Sequence, residues 1–414
     1  MMSPEACNEL ERPAYTCPLG GRQMQYFVSR CYQQLVPDPQ PSQSFFQLMP
    51  GFLAFRLLSI FLRRSESKPI SPIASNLCDG VLEHWPDIWK WLKCANVACR
   101  NPRKCLYFLN DHDHCALFSS IVMFIRDCCI HEHVLHQKVR STAIGIVVDL
   151  WYYQLRRPHR YLDPNACTLQ VLVDWSYRKA AAEGCKNGPL LVINRIGRPV
   201  EEIARDMLRF LEYRVSCVET VTDSELVTAI TSHVRFMIHL SSYSDFRNAL
   251  ITVHSMHIVT RALVHLSYKM VSSPELNSKR CRGVRDILFM YLLQTFLDME
   301  GIVPICRSME AGLLLAIIRG GACDRGDNGE QLALLVSSIC PYFTYVSILR
   351  PAARSLAKIH LPRMEERMDQ QGKFWQSWLL LKAILVDRFL LLPSGVPKRC
   401  DNKEVCFALL CEMH

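Results

Sequence analysis

The sequence predicts an all-α fold with helices stacked as in armadillo or HEAT solenoids. Apolar residues recur at spacings of three and four through the second half, and helix start and stop residues bracket those stripes. Strand signals are weak, because β-branched clusters such as Ile144 to Val148 and Leu190 to Ile193 lack alternation and regular turn spacing. A chain of 414 residues exceeds what one compact core usually organises, so two or more packing units or an extended solenoid are expected. Half the residues are apolar and 21% are charged, which excludes collagen-like and wholly disordered classes.

Residues 1–75 are the least defined region, punctuated by Pro37, Pro39 and Pro41 and by the polar stretch Arg64 to Ser75. Residues 76–392 form the helical region, with further punctuation at Gly184 to Pro199 and Ser272 to Arg282. Thr222-Asp223-Ser224-Glu225 reads as a capping box, followed by Leu226, Ile230, Val234 and Met237 on one face. A second helix spans about Met256 to Ser267, burying Val259, Ala262, Leu263 and Leu266. A third runs from Val284 through Leu288, Tyr291 and Leu292 to Phe296. Pro304 opens a fourth, Ile305, Met309, Leu313 and Ile317 make its stripe, and Gly320-Gly321 is its expected stop. A long helix over Phe374 to Leu392 precedes Pro393 to Pro397 and the tail, residues 393–414.

The stretch Gly51 to Leu62 is interrupted by Arg56 and falls short of the ~18 to 20 residues a bilayer requires. Leu379 to Leu392 carries Lys382, Asp387 and Arg388, so no membrane span is expected. The first residues, Met1 to Arg12, show no apolar leader core, which points to reduced thiols and a cytoplasmic or nuclear setting. Most of the 20 cysteines, such as Cys217, Cys306 and Cys340, fall singly in apolar helical patterns as small hydrophobes. The net charge of +9 is divided among small clusters, including Arg156-Arg157-Arg160 and Lys279-Arg280-Arg282-Arg285. Without interleaved stacking aromatics these read as solvated helix ends and loops, not as a nucleic-acid surface.

Several cysteine and histidine groups have ligand chemistry. The tail holds Cys400, Cys406, Cys411 and His414, a Cys3His set on paper, although Phe407 to Leu410 is apolar. Cys94, Cys99 and Cys105 form another group, which His112, His114 or Cys115 could complete as a metal centre. Cys129, His133 and His136 share a helical face, but Leu135 occupies the place where a His-Glu-x-x-His protease motif needs its second histidine. In Cys323 to Glu330, Gly326 stands where a calcium loop needs a carboxylate, so the segment reads as a turn. Phosphate-cradling glycine loops and a nucleophile elbow are absent from the sequence.

Lys398-Arg399-Cys400-Asp401-Asn402 followed by Cys406, after a Trp-containing amphipathic helix, resembles the entry to the MYND-type zinc finger of a group of fungal proteins with long helical N-terminal regions. The stretches His84 to Trp91 and His233 to Leu266 are similar to that helical region. The resemblance implies zinc as cofactor and Cys400 and Cys406 as its first ligand pair; the remaining pairs of such a finger do not fit before His414. The finger is therefore expected to be truncated or degenerate, the tail to hold no tight structural zinc, and Leu409 and Leu410 to pack on the preceding helix. The resulting reading is an interaction or scaffold protein with protein partners. The alternative is a metal-dependent enzyme built on the Cys94 to Cys105 group.

Overall fold

The structure, a computed structural model, describes residues 21–35, 37, 39, 45–66, 72–100, 121–128, 135–156, 188–217, 224–272, 279–298, 302–323 and 329–390. The described residues are helical or in turns and contain no strand, so the fold is all-α. The chain divides into two compact units, Met1–Arg198 and Pro199–His414. The boundary falls at the end of the Gly184 to Pro199 segment.

In the first unit the helices are α1 (Gly21–Leu35), α2 (Phe45–Glu66), α3 (Pro72–Glu83), α4 (Trp85–Arg100), α5 (Leu135–Leu155) and α6 (Gly188–Ile196), with a further helical stretch at 121–128. Trp85, Ile88, Trp91 and Leu92 of α4 are buried, as a helical spacing of three and four requires. The Trp91 indole N–H donates to the carbonyl of Leu35 at 2.9 Å, which satisfies an acceptor at the end of α1. Its ring lies against Gly51 of α2, where a Cβ would stand 2.3 Å from the ring, so only glycine permits the approach. The short apolar stretch in α2 serves the core: Phe55, Leu58, Phe61 and Leu62 are all buried. Buried Asp127 accepts from Ser59 and pairs with Arg126, which satisfies a carboxylate otherwise costly to desolvate. The sequence marks Gly184 to Pro199 as loop, yet the segment contains α6; its Pro189 is tolerated in the first turn, while Val192 and Ile193 are buried.

The second unit contains α7 (Val200–Ser216), α8 (Ser224–Leu240), α9 (Ser244–Thr252), α10 (Ser255–Ser272), α11 (Lys279–Asp298), α12 (Val303–Ala311), α13 (Leu313–Cys323), α14 (Gly329–Ile339), α15 (Val346–Leu356), α16 (Leu361–Glu365) and α17 (Lys373–Leu390). Helix α8 begins at Ser224, within the expected capping box, although Thr222 itself lies outside the described residues. Val234, Leu263 and Leu288 are fully buried, so the facing read from the stripes is right. Three rows of packing recur. Helix α7 packs on α10, α10 on α13 and α13 on α16; α8 packs on α11, α11 on α14 and α14 on α17; α12 packs on α15. Arg307 of α12 donates to the Ile251 carbonyl at 3.0 Å, capping the end of α9 and extending the third row.

Two expectations are corrected here. The helix opened by Pro304 is divided: Gly312, at φ 99°, adopts the left-handed conformation and separates α12 from α13. Gly320-Gly321 does not stop α13 but lies buried within it. A Cβ on Gly321 would stand 2.0 Å from the Phe374 ring, and one on Gly329 would be 3.3 Å from the same side chain. The two glycines thus make the space that Phe374 of α17 fills. Gly321→Ala should therefore cost ~1–3 kcal/mol through overpacking. Gly320→Ala, whose Cβ would meet the edge of Phe289 at 3.2 Å, should cost less, and thermal unfolding of the two variants checks the order.

Arg285 also departs from expectation, since it is fully buried and not a solvated member of its basic cluster. It donates to the Gly320 carbonyl at 3.1 Å and through Nε and Nη2 to Asp286 at 2.9 and 2.8 Å, so the charge is paired and ties α11 to α13. Glu365 of α16 accepts from the Trp378 indole at 2.7 Å and from Lys382 at 3.2 Å, joining α16 to α17. No single described helix is long and apolar enough to cross a membrane.

Candidate functional site

In the first unit, α5 packs between α4 and α6 and carries Asp149 on a largely apolar surface beside Val148, Leu150 and Trp151. The Asp149 side chain is only 9% exposed, so its charge demands partners. Oδ2 accepts from Asn96 of α4 at 3.2 Å and from Arg195 Nη2 of α6 at 2.7 Å. Those bonds fix the carboxylate and, through it, the guanidinium. The Arg195 group lies over Gly145 of α5, where an added Cβ would come within 3.2 Å of Nε. Glycine at this position lets the planar group approach the helix.

A pocket of about 370 Å³ opens beside this pair, lined by Asp149, Tyr152, Tyr153, Arg156, Arg195, Ile196 and Arg198. Among the described lining residues Arg156, Arg195 and Arg198 accompany one carboxylate, which Asn96 and Arg195 engage. Guanidinium keeps its charge at any physiological pH and presents its donors in a fixed fork. The arrangement is suited to holding an anion, and no proton-transfer or nucleophilic pair is evident among the described lining residues. The sequence places Arg156 in a solvated basic cluster and gives Arg195 and Arg198 no particular reading. The available signal is Asp149 itself, a lone carboxylate on a buried helix face.

The metal candidates lie elsewhere. Cys400, Cys406, Cys411 and His414 are outside the described residues, as are Leu409 and Leu410. Cys94 is a buried residue of α4; Cys105, His112, His114 and Cys115 are outside the described residues, and so is the side chain of Cys99. His136 falls on α5 with its side chain undescribed, while Cys129 and His133 are outside. Cys323 is buried at the end of α13, and 324–328 fall outside. Among the described residues no group of three His, Cys, Asp or Glu side chains is placed to hold a metal. Burial pushes the Cys31 thiol up to about 12 and the Cys340 thiol up to about 11, which disfavours the thiolate that nucleophilic or ligand chemistry needs.

The second unit presents a different surface. Arg350, Arg354 and Lys358 follow one another at intervals of four, all exposed, along α15 and the turn after it. Tyr345 and Val346 at the start of α15 are about half exposed, as are Val303 on α12, Leu334 on α14, and Leu379 and Leu380 on α17. Comparison of the chain with known families, curated proteins and solved structures finds no match.

Proposed function

We propose that this chain is a helical interaction protein whose second unit is a solenoid of three-helix repeats of the armadillo kind, offering its outer surface to protein partners. The observation that carries the reading is the row packing. Helices rest on the one three positions later in two rows, α7, α10, α13 and α16 in one and α8, α11, α14 and α17 in the other. Stacked repeats of this type bury one continuous core while leaving long surfaces exposed, and those surfaces bind extended partners. Exposed Tyr345 and Val346 beside the Arg350–Arg354–Lys358 stripe supply apolar and cationic contacts of the sort that favour an acidic partner. The resemblance to MYND-finger proteins adds a second argument for partner binding, with Cys400 and Cys406 as the first ligand pair that the resemblance implies.

The test is capture of partners by the full chain alongside a variant carrying Arg350→Glu, Arg354→Glu and Lys358→Glu. These residues are exposed, so the variant should fold as the parent does by circular dichroism. Defined partners should be retained by the parent and lost by the variant. An identical set on both chains would remove the stripe from the proposal, and an empty set on the parent would remove the function.

A further inference from the structure

We infer that the pocket of the first unit is a binding site for a small organic phosphate. Arg156, just past the end of α5, and Arg195 of α6 line, with Arg198, one cavity of about 370 Å³, within the size range of small-molecule sites. Guanidinium is the side chain best matched to phosphate, because two parallel N–H bonds meet two oxygens of the anion. Among the described lining residues three such side chains accompany one carboxylate, Asp149. Asp149 does not oppose the anion so much as orient its receptor, since it holds Arg195 at 2.7 Å while Asn96 holds Asp149 in turn. That leaves other N–H groups of Arg195 to meet a ligand. Bare phosphate would occupy only part of the volume. Tyr152 and Tyr153 also line the cavity, and aromatic residues there suit an organic body attached to the phosphate.

This site is separate from the partner surface proposed above, and neither stands or falls with the other. Isothermal titration of the full chain at fixed ionic strength would use inorganic pyrophosphate and ADP as probes. Saturable binding is expected for both, with ADP tighter, and it should weaken about tenfold in Arg156→Gln and in Arg195→Lys, which keeps the charge beside Asp149 but loses the fork. Arg30→Gln, an exposed position on α1 that does not line the pocket, should leave binding unchanged. Equal affinity for the two probes would overturn the organic part of the assignment. Absence of saturable binding up to millimolar concentrations, or unchanged affinity in Arg156→Gln and Arg195→Lys, would overturn the site.

Discussion

Leu263→Ala lowers the stability of the second unit by ~2–5 kcal/mol, read as a shift of its denaturant midpoint at unchanged slope. Leu263 is fully buried on α10, which packs against α7, α11, α12 and α13. A hole at that position could close only if several helices moved together, so relaxation is limited and the upper half of the range is expected. Leu288→Ala on α11 should behave alike, because Leu288 is also fully buried and α11 packs on α8, α10 and α14. Losses under about 1 kcal/mol at both positions would contradict the helix facing that the apolar stripes define.

The stripes are legible because they are local. Val259, Ala262, Leu263 and Leu266 identify the buried face of α10 from spacing alone, and all four are buried. What spacing does not carry is the influence of distant residues. Gly320-Gly321 has the local chemistry of a helix stop, and nothing nearby announces that Phe374 will press its ring against Gly321 from α17. Gly312, by contrast, lies inside an apparently continuous stripe, so periodicity hides the break it makes between α12 and α13. Gly, Pro and Asn around Leu190 to Ile193 outweigh a helix too short to show more than two turns, so α6 has the sequence of a loop.

The candidate site is less legible than the fold. Asp149 and Arg195 are 46 positions apart, and only packing of α5 on α6 makes them a pair. Charge statistics are blind to such pairing: Arg285 has the sequence setting of a solvated cation and is fully buried. The cysteine groups stand out because metal ligands have recognisable spacing, whereas three arginines gathered by tertiary structure have none. At two of the cysteines that the structure does describe, Cys31 and Cys340, burial raises the thiol and so works against thiolate chemistry.

Acidification from pH 7 to pH 5 should destabilise the second unit by roughly 2 kcal/mol through His233 alone. His233 of α8 is fully buried; its Nε2–H is placed to donate to the Met207 carbonyl at 3.0 Å, and the Phe210 ring lies 4.9 Å away. Desolvation is the main cause that pushes its pKa down to about 4; the Met207 hydrogen bond works against the shift and Arg214 adds to it. Above the ordinary value of 6.5 both folded and unfolded chains hold it neutral, and its full contribution is present. As pH falls below 6.5 the unfolded chain takes up a proton that the folded chain refuses until about 4, so stability is lost across that window. His239, also lowered by burial, adds a loss of the same sign. His233→Gln keeps a donor for Met207 and removes the titration, so its stability should be flatter between pH 7 and 5 than that of the parent. Parallel curves for the two chains over that interval would show that His233 is accessible to protons in the folded state and that its burial is not what sets its charge.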